Sequence, residues 1–187
     1  MILRNAMLTL VATAGMLTAT AQTDSASLVP RIRAASDSMM AAFKTGDYKT
    51  FARFNNETVV NMLGGTDQFA SFLEQQMKSM SDLKFTEIKA GRILRITSYQ
   101  QTWQCIVEQQ SEITMAGQTV SSISHLVGLS RDGGQSWRFM DGNQGSLEQF
   151  QAIMPELNPL MPIPRKKQEN GKKLSELLQG YEPSYRP

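Results

Sequence analysis

Tyr99-Gln-Gln-Thr-Trp-Gln-Cys-Ile-Val-Glu-Gln-Gln-Ser-Glu-Ile113 has the period of an extended chain. Trp103, Cys105 and Val107 fall on one face, and Gln104, Ile106 and Glu108 on the other. Toward the N-terminus, Phe85 to Ile96 reads as a first long strand. Toward the C-terminus, Thr119 to Leu129 reads as a third, joined through a hairpin at Ala116-Gly117-Gln118. Trp137 and Phe139 mark a fourth strand after the turn at Asp132-Gly133-Gly134. From Leu83 to Met140 the helical period is almost absent, so this half of the chain is predicted to be an antiparallel sheet.

Before Leu83 the period is near four. A helix is predicted from Leu28, with Pro30 in its first turn and Ile32, Ala35, Met39, Ala42 and Phe43 along its apolar stripe, ending at Gly46. Asp47 caps a second helix carrying Tyr48, Phe51 and Phe54. Asn56 opens a third, stopped by Gly64-Gly65, and Thr66 or Asp67 caps a fourth. Helices followed by consecutive strands define an α+β fold, with N-terminal helices packed on a curved antiparallel sheet. Ser146-Leu-Glu-Gln149 is a capping box for a short helix closed by Pro155. Beyond it lie six of the seven prolines and a cluster of Lys and Arg. Residues 155–164 are predicted to be an extended strap, and a marginal helix is expected at Leu174 to Leu178. The chain thus divides into residues 1–21, a folded domain over 22–154, and a Pro-rich, basic tail over 155–187.

The first of these segments carries Arg4, an apolar run through Met7, Leu8, Leu10 and Val11, and Ala19-Thr-Ala21. It reads as a secretory signal peptide. No cysteine stands at the cleavage site to take a lipid, and no stretch reaches the ~20 apolar residues of a membrane span. The expected location is periplasmic or secreted, with no membrane span. The formal net charge is +2, or +1 after loss of Arg4, and nucleic acid is not an expected partner. One Cys and one His exclude Cys-based metal centres and any site needing two imidazoles, so no metal is expected. No G-x-G-x-x-G, Walker or G-x-S-x-G pattern occurs, so neither a nucleotide cofactor nor a serine-hydrolase elbow is implied, and no cofactor is expected.

Helix, short helices, helix and then long strands resemble the order of the NTF2-like cone fold, the superfamily of ketosteroid isomerases and polyketide cyclases. Phe43-Lys-Thr-Gly-Asp-Tyr-Lys-Thr-Phe51, Met62-Leu-Gly-Gly65, Ser130-Arg-Asp-Gly-Gly-Gln-Ser-Trp137 and Leu157-Asn-Pro-Leu-Met-Pro-Ile-Pro164 are similar to segments of a group of secreted Bacteroidota proteins within it. This resemblance implies a fold and a compartment and carries no activity. Ser130-x-Asp132-x-Gly134-x-Ser136-Trp137 also resembles the Asp-box of sialidase propellers. It occurs once in a chain too short for several blades, so it is read as a hairpin turn.

Enzymes of the cone fold hold an acid–base group inside an apolar cavity. Here Ser121, Ile123, His125, Val127 and Leu129 share a strand face, which places His125 among aliphatics, pointing inward. As a general base it would be flanked by Tyr99, Trp103 and Tyr48, which together with His125 are also the expected ligand-binding residues. Packed and neutral, it is core. His125 is expected to be packed and neutral, because nothing matches the isomerase base or its oxyanion pair. The chain is therefore expected to be a non-catalytic domain that binds a small apolar ligand or a protein partner; the alternative is an isomerase, dehydratase or hydrolase using His125. A homodimer through the outer sheet face is also expected, since Ile106, Ile113 or Leu126 there would be costly in water.

Overall fold

The computed structural model describes residues 24–80, 83–115, 117–142, 146–164 and 167–169. The leader and the helix expected at Leu174 to Leu178 lie outside these residues. Helix α1 (Ser25–Thr45) starts earlier than predicted, because Asp24 caps it: its Oδ1 accepts the Ala26 N–H at 3.2 Å. Pro30 therefore falls inside the helix instead of in its first turn, and it cannot donate the main-chain bond expected there. Helix α2 (Tyr48–Phe54) is capped by Asp47, which accepts from Thr50 N at 3.0 Å, and α3 (Glu57–Met62) by Asn56, which accepts from Thr58 N at 2.9 Å. Helix α4 (Thr66–Ser79) departs from expectation. Its N-cap is Gly65, with no side-chain bond, so Thr66 and Asp67 are already helical. Asp67 there favours the positive end of the helix and pairs with Lys49 at 2.8 Å.

Strands β1 (Leu83–Tyr99), β2 (Thr102–Met115), β3 (Gln118–Ser130) and β4 (Arg138–Asp141) form an antiparallel sheet in that order. A short β5 (Lys167–Glu169) pairs with β3 at Ser121 to Ile123. Tyr99 ends β1 instead of opening β2, since Gln100 and Gln101 make the turn with φ of 45° and 61°. The 17 residues of β1 face the 14 of β2. The three extra residues sit at register shifts between Phe85 and Glu87, Ala90 and Ile93, and Ile93 and Arg95. Each such bulge bends its strand and increases its twist, and the result is a curved, open sheet with the N-terminal helices on one face.

Both faces of the sheet are covered. On the helix side, Ile88, Cys105, Val107, Leu126 and Phe139 pack with Leu28, Ile32, Met39 and Met40 of α1 and with Trp137. On the outer side, Ile106 and Val127 pack beneath helix α5 (Leu147–Ile153) and the segment after it, through Phe150, Met154, Leu157 and Met161. The fully buried Gln104 fastens that segment. Its Nε2 donates to the Glu156 carbonyl at 2.7 Å, and its Oε1 accepts from Asn158 N at 3.0 Å. Residues 155–160 form successive turns, closed by Leu157 N to Met154 O and Met161 N to Asn158 O, so this part of the expected strap is not extended. The homodimer expected through the outer face loses the apolar surface it was expected to use. Ile106 is covered by the chain's own C-terminal segment, while Ile113 and Leu126 fall by register on the helix face.

The turn from Ser130 to Trp137 is built as its motif suggests. Asp132 accepts from the Ser130 hydroxyl (2.7 Å), Gln135 N (3.0 Å), Ser136 N (2.9 Å) and the Ser136 hydroxyl (2.6 Å). Burial acts to raise its carboxyl pKa, but these hydrogen bonds, led by the Ser136 hydroxyl, outweigh it and bring the group down to about 2. A folded-state value below the ordinary 3.8 means that the stabilisation is complete above that value and is lost as the pH falls through it toward 2. Asp132→Ala is expected to cost ~1–3 kcal/mol at neutral pH. Its melting curves should converge on those of the wild type as the pH drops from 5 to 2; a constant gap would contradict the role given to the carboxylate.

Candidate functional site

The residues singled out from the sequence do not meet. His125 is the cross-strand partner of Glu108, and both are 4% exposed on the outer face of the sheet. Trp103 lies on the opposite face with Cys105 and Val107, half-buried against the helix-side core. Tyr48 opens α2 and meets Phe43 edge-on at 6.0 Å, where burial raises its phenol pKa. Tyr99 stands at the β1–β2 turn, opposite Thr102. Thr102 is six residues along β2 from Glu108, roughly 20 Å at strand spacing. The cavity that would have joined His125 to Trp103, Tyr99 and Tyr48 is therefore not assembled, because strand parity sends His125 and Trp103 to opposite sides. Cys105 is fully buried and its thiol pKa is pushed up by that burial, which removes it as a nucleophile at neutral pH.

Glu108 has a different role. Arg92 grips it in a fork, Nη2 to Oε1 at 2.7 Å and Nε to Oε2 at 3.0 Å, and the Arg92 main-chain N–H adds a bond at 3.2 Å. These contacts hold its carboxyl below the usual carboxylate range despite burial. Arg92 also lines a groove of about 560 Å³ between the first turns of α1 and the bulged part of β1. Its apolar wall is Val29, Ile93, Leu94 and Ile96, and Val29 and Leu94 are each 40% exposed. Arg33, Arg92 and Arg95 line it as well.

The bulges create this lining. Arg92 to Ile96 all contribute to the lining where two extra residues interrupt the β1–β2 register; Ile93 and Ile96 stand opposite Val107 and Cys105 on the helix face and Arg95 opposite Ile106 on the outer one, so the lining is drawn from both faces of this edge strand. Arg33 reaches across from α1 and donates through Nη1 to the carbonyl of Gly91. Gly91 has to be small: a Cβ there would lie 2.9 Å from that of Glu108. The Arg95 side chain is exposed and makes no ion pair or hydrogen bond among the described residues. Three arginines and no carboxylate line the groove, and one of them, Arg92, is already paired with Glu108, so the groove carries excess positive charge beside exposed aliphatic side chains. Sequence reasoning missed it, although the break of alternation at Gly91-Arg92 is the signal of a bulge.

A smaller hollow of about 240 Å³ on the outer face is lined by Glu87, Lys89, Gln110, Glu112, Ser121 and Ile123, and its lysine is already paired with Glu87 at 2.9 Å. Among the described residues, no three His, Cys, Asp or Glu side chains gather as a metal site, and no helix is long and apolar enough to cross a membrane. Comparison of the chain with protein-family models, with curated proteins and with solved structures finds no match.

Proposed function

We propose that the chain is a secreted or periplasmic binding protein of the NTF2-like, cone-fold kind, without catalytic activity. Its ligand is an anion with an apolar body held in the groove between α1 and β1. The observation that carries this reading is the joining of exposed Val29 and Leu94 to the unpaired guanidinium of Arg95 and to Arg33 and Arg92 in one concave surface. Aliphatic walls with a few convergent polar groups are the usual makeup of a ligand site. Arginine binds carboxylate and phosphate oxygens through a planar fork but keeps its proton at any physiological pH. The groove is therefore suited to holding and orienting a charged group and has no side chain able to exchange a proton near neutrality. The position of His125, on the outer face of the sheet and beside Glu108, gives no support to the enzymatic alternative.

Isothermal titration with dodecanoate and with dodecyltrimethylammonium, which share a chain and differ in charge, tests the reading. Dodecanoate is expected to bind saturably and the cation is not. Arg95→Glu, a change at an exposed side chain that leaves the circular dichroism spectrum unaltered, is expected to weaken dodecanoate about tenfold, equivalent to ~1.4 kcal/mol. Equal binding of both surfactants, or no effect of Arg95→Glu, would overturn the charge role of the groove.

A further inference from the structure

The floor of the groove is the margin of a strand. Among the described residues, β1 is hydrogen-bonded to β2 alone, so one margin of a 17-residue strand is unpaired by any described strand. An unpaired strand margin is a template for another extended chain. Arg33 already illustrates how the margin is used, for its guanidinium satisfies the Gly91 carbonyl beside the groove. Its charge is positive on balance: of Lys84, Lys89, Arg92 and Arg95 on β1, Lys89 pairs with Glu87 and Arg92 with Glu108, which leaves Lys84 and Arg95 without an ion pair among the described residues.

We infer that the ligand of the groove is an extended acidic segment of another protein, which adds to the free margin of β1 as a further strand, with carboxylates on Arg95 and Arg33 and an apolar side chain against Val29 and Leu94. This rests on the groove being the binding site. Charge selects the occupant. A second copy of the chain would bring the same cationic strand against this one. The chain's own residues 165–187 bring Arg165, Lys166, Lys167, Lys172, Lys173 and Arg186 against Glu169, Glu176 and Glu182, again an excess of like charge. Like charges placed across a strand pair are destabilising, whereas opposite charges are favourable. An acidic strand complements the margin, main-chain pairing supplies affinity, and the alternate side chains supply selectivity.

Fluorescence anisotropy with labelled eight-residue peptides tests this on the whole protein. The first peptide alternates Glu with Val or Leu, the second has Lys for Glu, and two more repeat the acidic sequence with N-methyl groups on one or the other set of alternate amides. The acidic peptide is expected to bind and the Lys peptide is not. Only alternate amides of an added antiparallel strand point at its neighbour, so one methylated set should weaken binding about tenfold or more and the other should leave it nearly unchanged. Arg95→Glu should weaken the parent peptide to a similar degree. If both methylated peptides bind like the parent, strand addition is overturned. If the acidic peptide fails while dodecanoate binds, the groove stands and the polypeptide ligand falls; if neither binds, both fall. A stable dimer in gel filtration that excess peptide does not dissociate and that prevents peptide binding would assign the margin to a second copy and overturn the inference.

Discussion

Phe139→Ala is expected to lower stability by about 3–5 kcal/mol, and the melting temperature by on the order of 10 °C. Phe139 is fully buried and stands where three parts of the fold meet. Its ring fills the helix-side core, passing so close to Gly128 that a Cβ there would lie 2.7 Å from Phe139 Cε1. Its carbonyl accepts from Asn56 N at 2.9 Å, which ties the start of α3 to β4. Removing the ring leaves a void next to a glycine, and a glycine has no side chain with which to fill it. The neighbouring Cys105 and Val107 sit on regular strand and can shift little. Chemical denaturation of the variant should give a lower midpoint with an unchanged slope. A loss below ~1 kcal/mol would mean that the helix-side core is looser than its burial implies.

Gly134→Ala is the second large effect, at about 2–5 kcal/mol, and two causes add. Gly134 has φ of 87°, which costs an L-residue roughly 1–2 kcal/mol. The new methyl group would also fall 2.2 Å from Leu28 Cδ2. Leu28 is itself 1% exposed in the first turns of α1, so it cannot swing aside without disturbing the core, an overpacking of roughly 1–3 kcal/mol. Gly133→Ala separates the causes. Its φ is 71°, but nothing lies within 4 Å of the added carbon, so it should lose the backbone contribution alone. Equal losses in the two variants, measured by thermal melts at neutral pH, would contradict the packing of this turn against α1.

Much of this fold is legible in the sequence, and the reasons are local. Asp47 and Asn56 cap α2 and α3 because a short side-chain oxygen can reach the first free N–H groups wherever such residues precede an apolar run. The change of period after Asp82 locates the sheet, and Ser130-x-Asp132-x-Gly134 locates a turn whose hydrogen bonds are all within seven residues. The burial of His125 is also legible, since Ile123, Val127 and Leu129 share its face. The side of the sheet on which that face lies is not. The outer core forms only when Phe150, Met154, Leu157 and Met161 return to cover Ile106 and Val127, and period alone cannot say that a sheet is covered twice.

The groove was hidden for a related reason. Ile93, Leu94, Arg95 and Ile96 look like a faulty alternation, and only pairing with β2 reveals two extra residues between Ala90 and Arg95, which set Ile93 and Ile96 on the helix face and Arg95 on the outer one. Three arginines from two elements 58 or more residues apart then converge through the bond from Arg33 to Gly91. Nothing in the sequence relates Arg33 to Arg95, because the relation is made by the packing of α1 along the margin of β1.

Amide chemical-shift mapping of the isotopically labelled protein during titration with dodecanoate is the measurement that weighs most on this assignment. The largest shifts are expected at Val29, Arg33 and Arg92 to Ile96, and they should vanish in Arg95→Glu. Shifts centred instead on Tyr48 and Trp103, or around His125 and Glu108, would place the ligand elsewhere and contradict the groove as the site of binding.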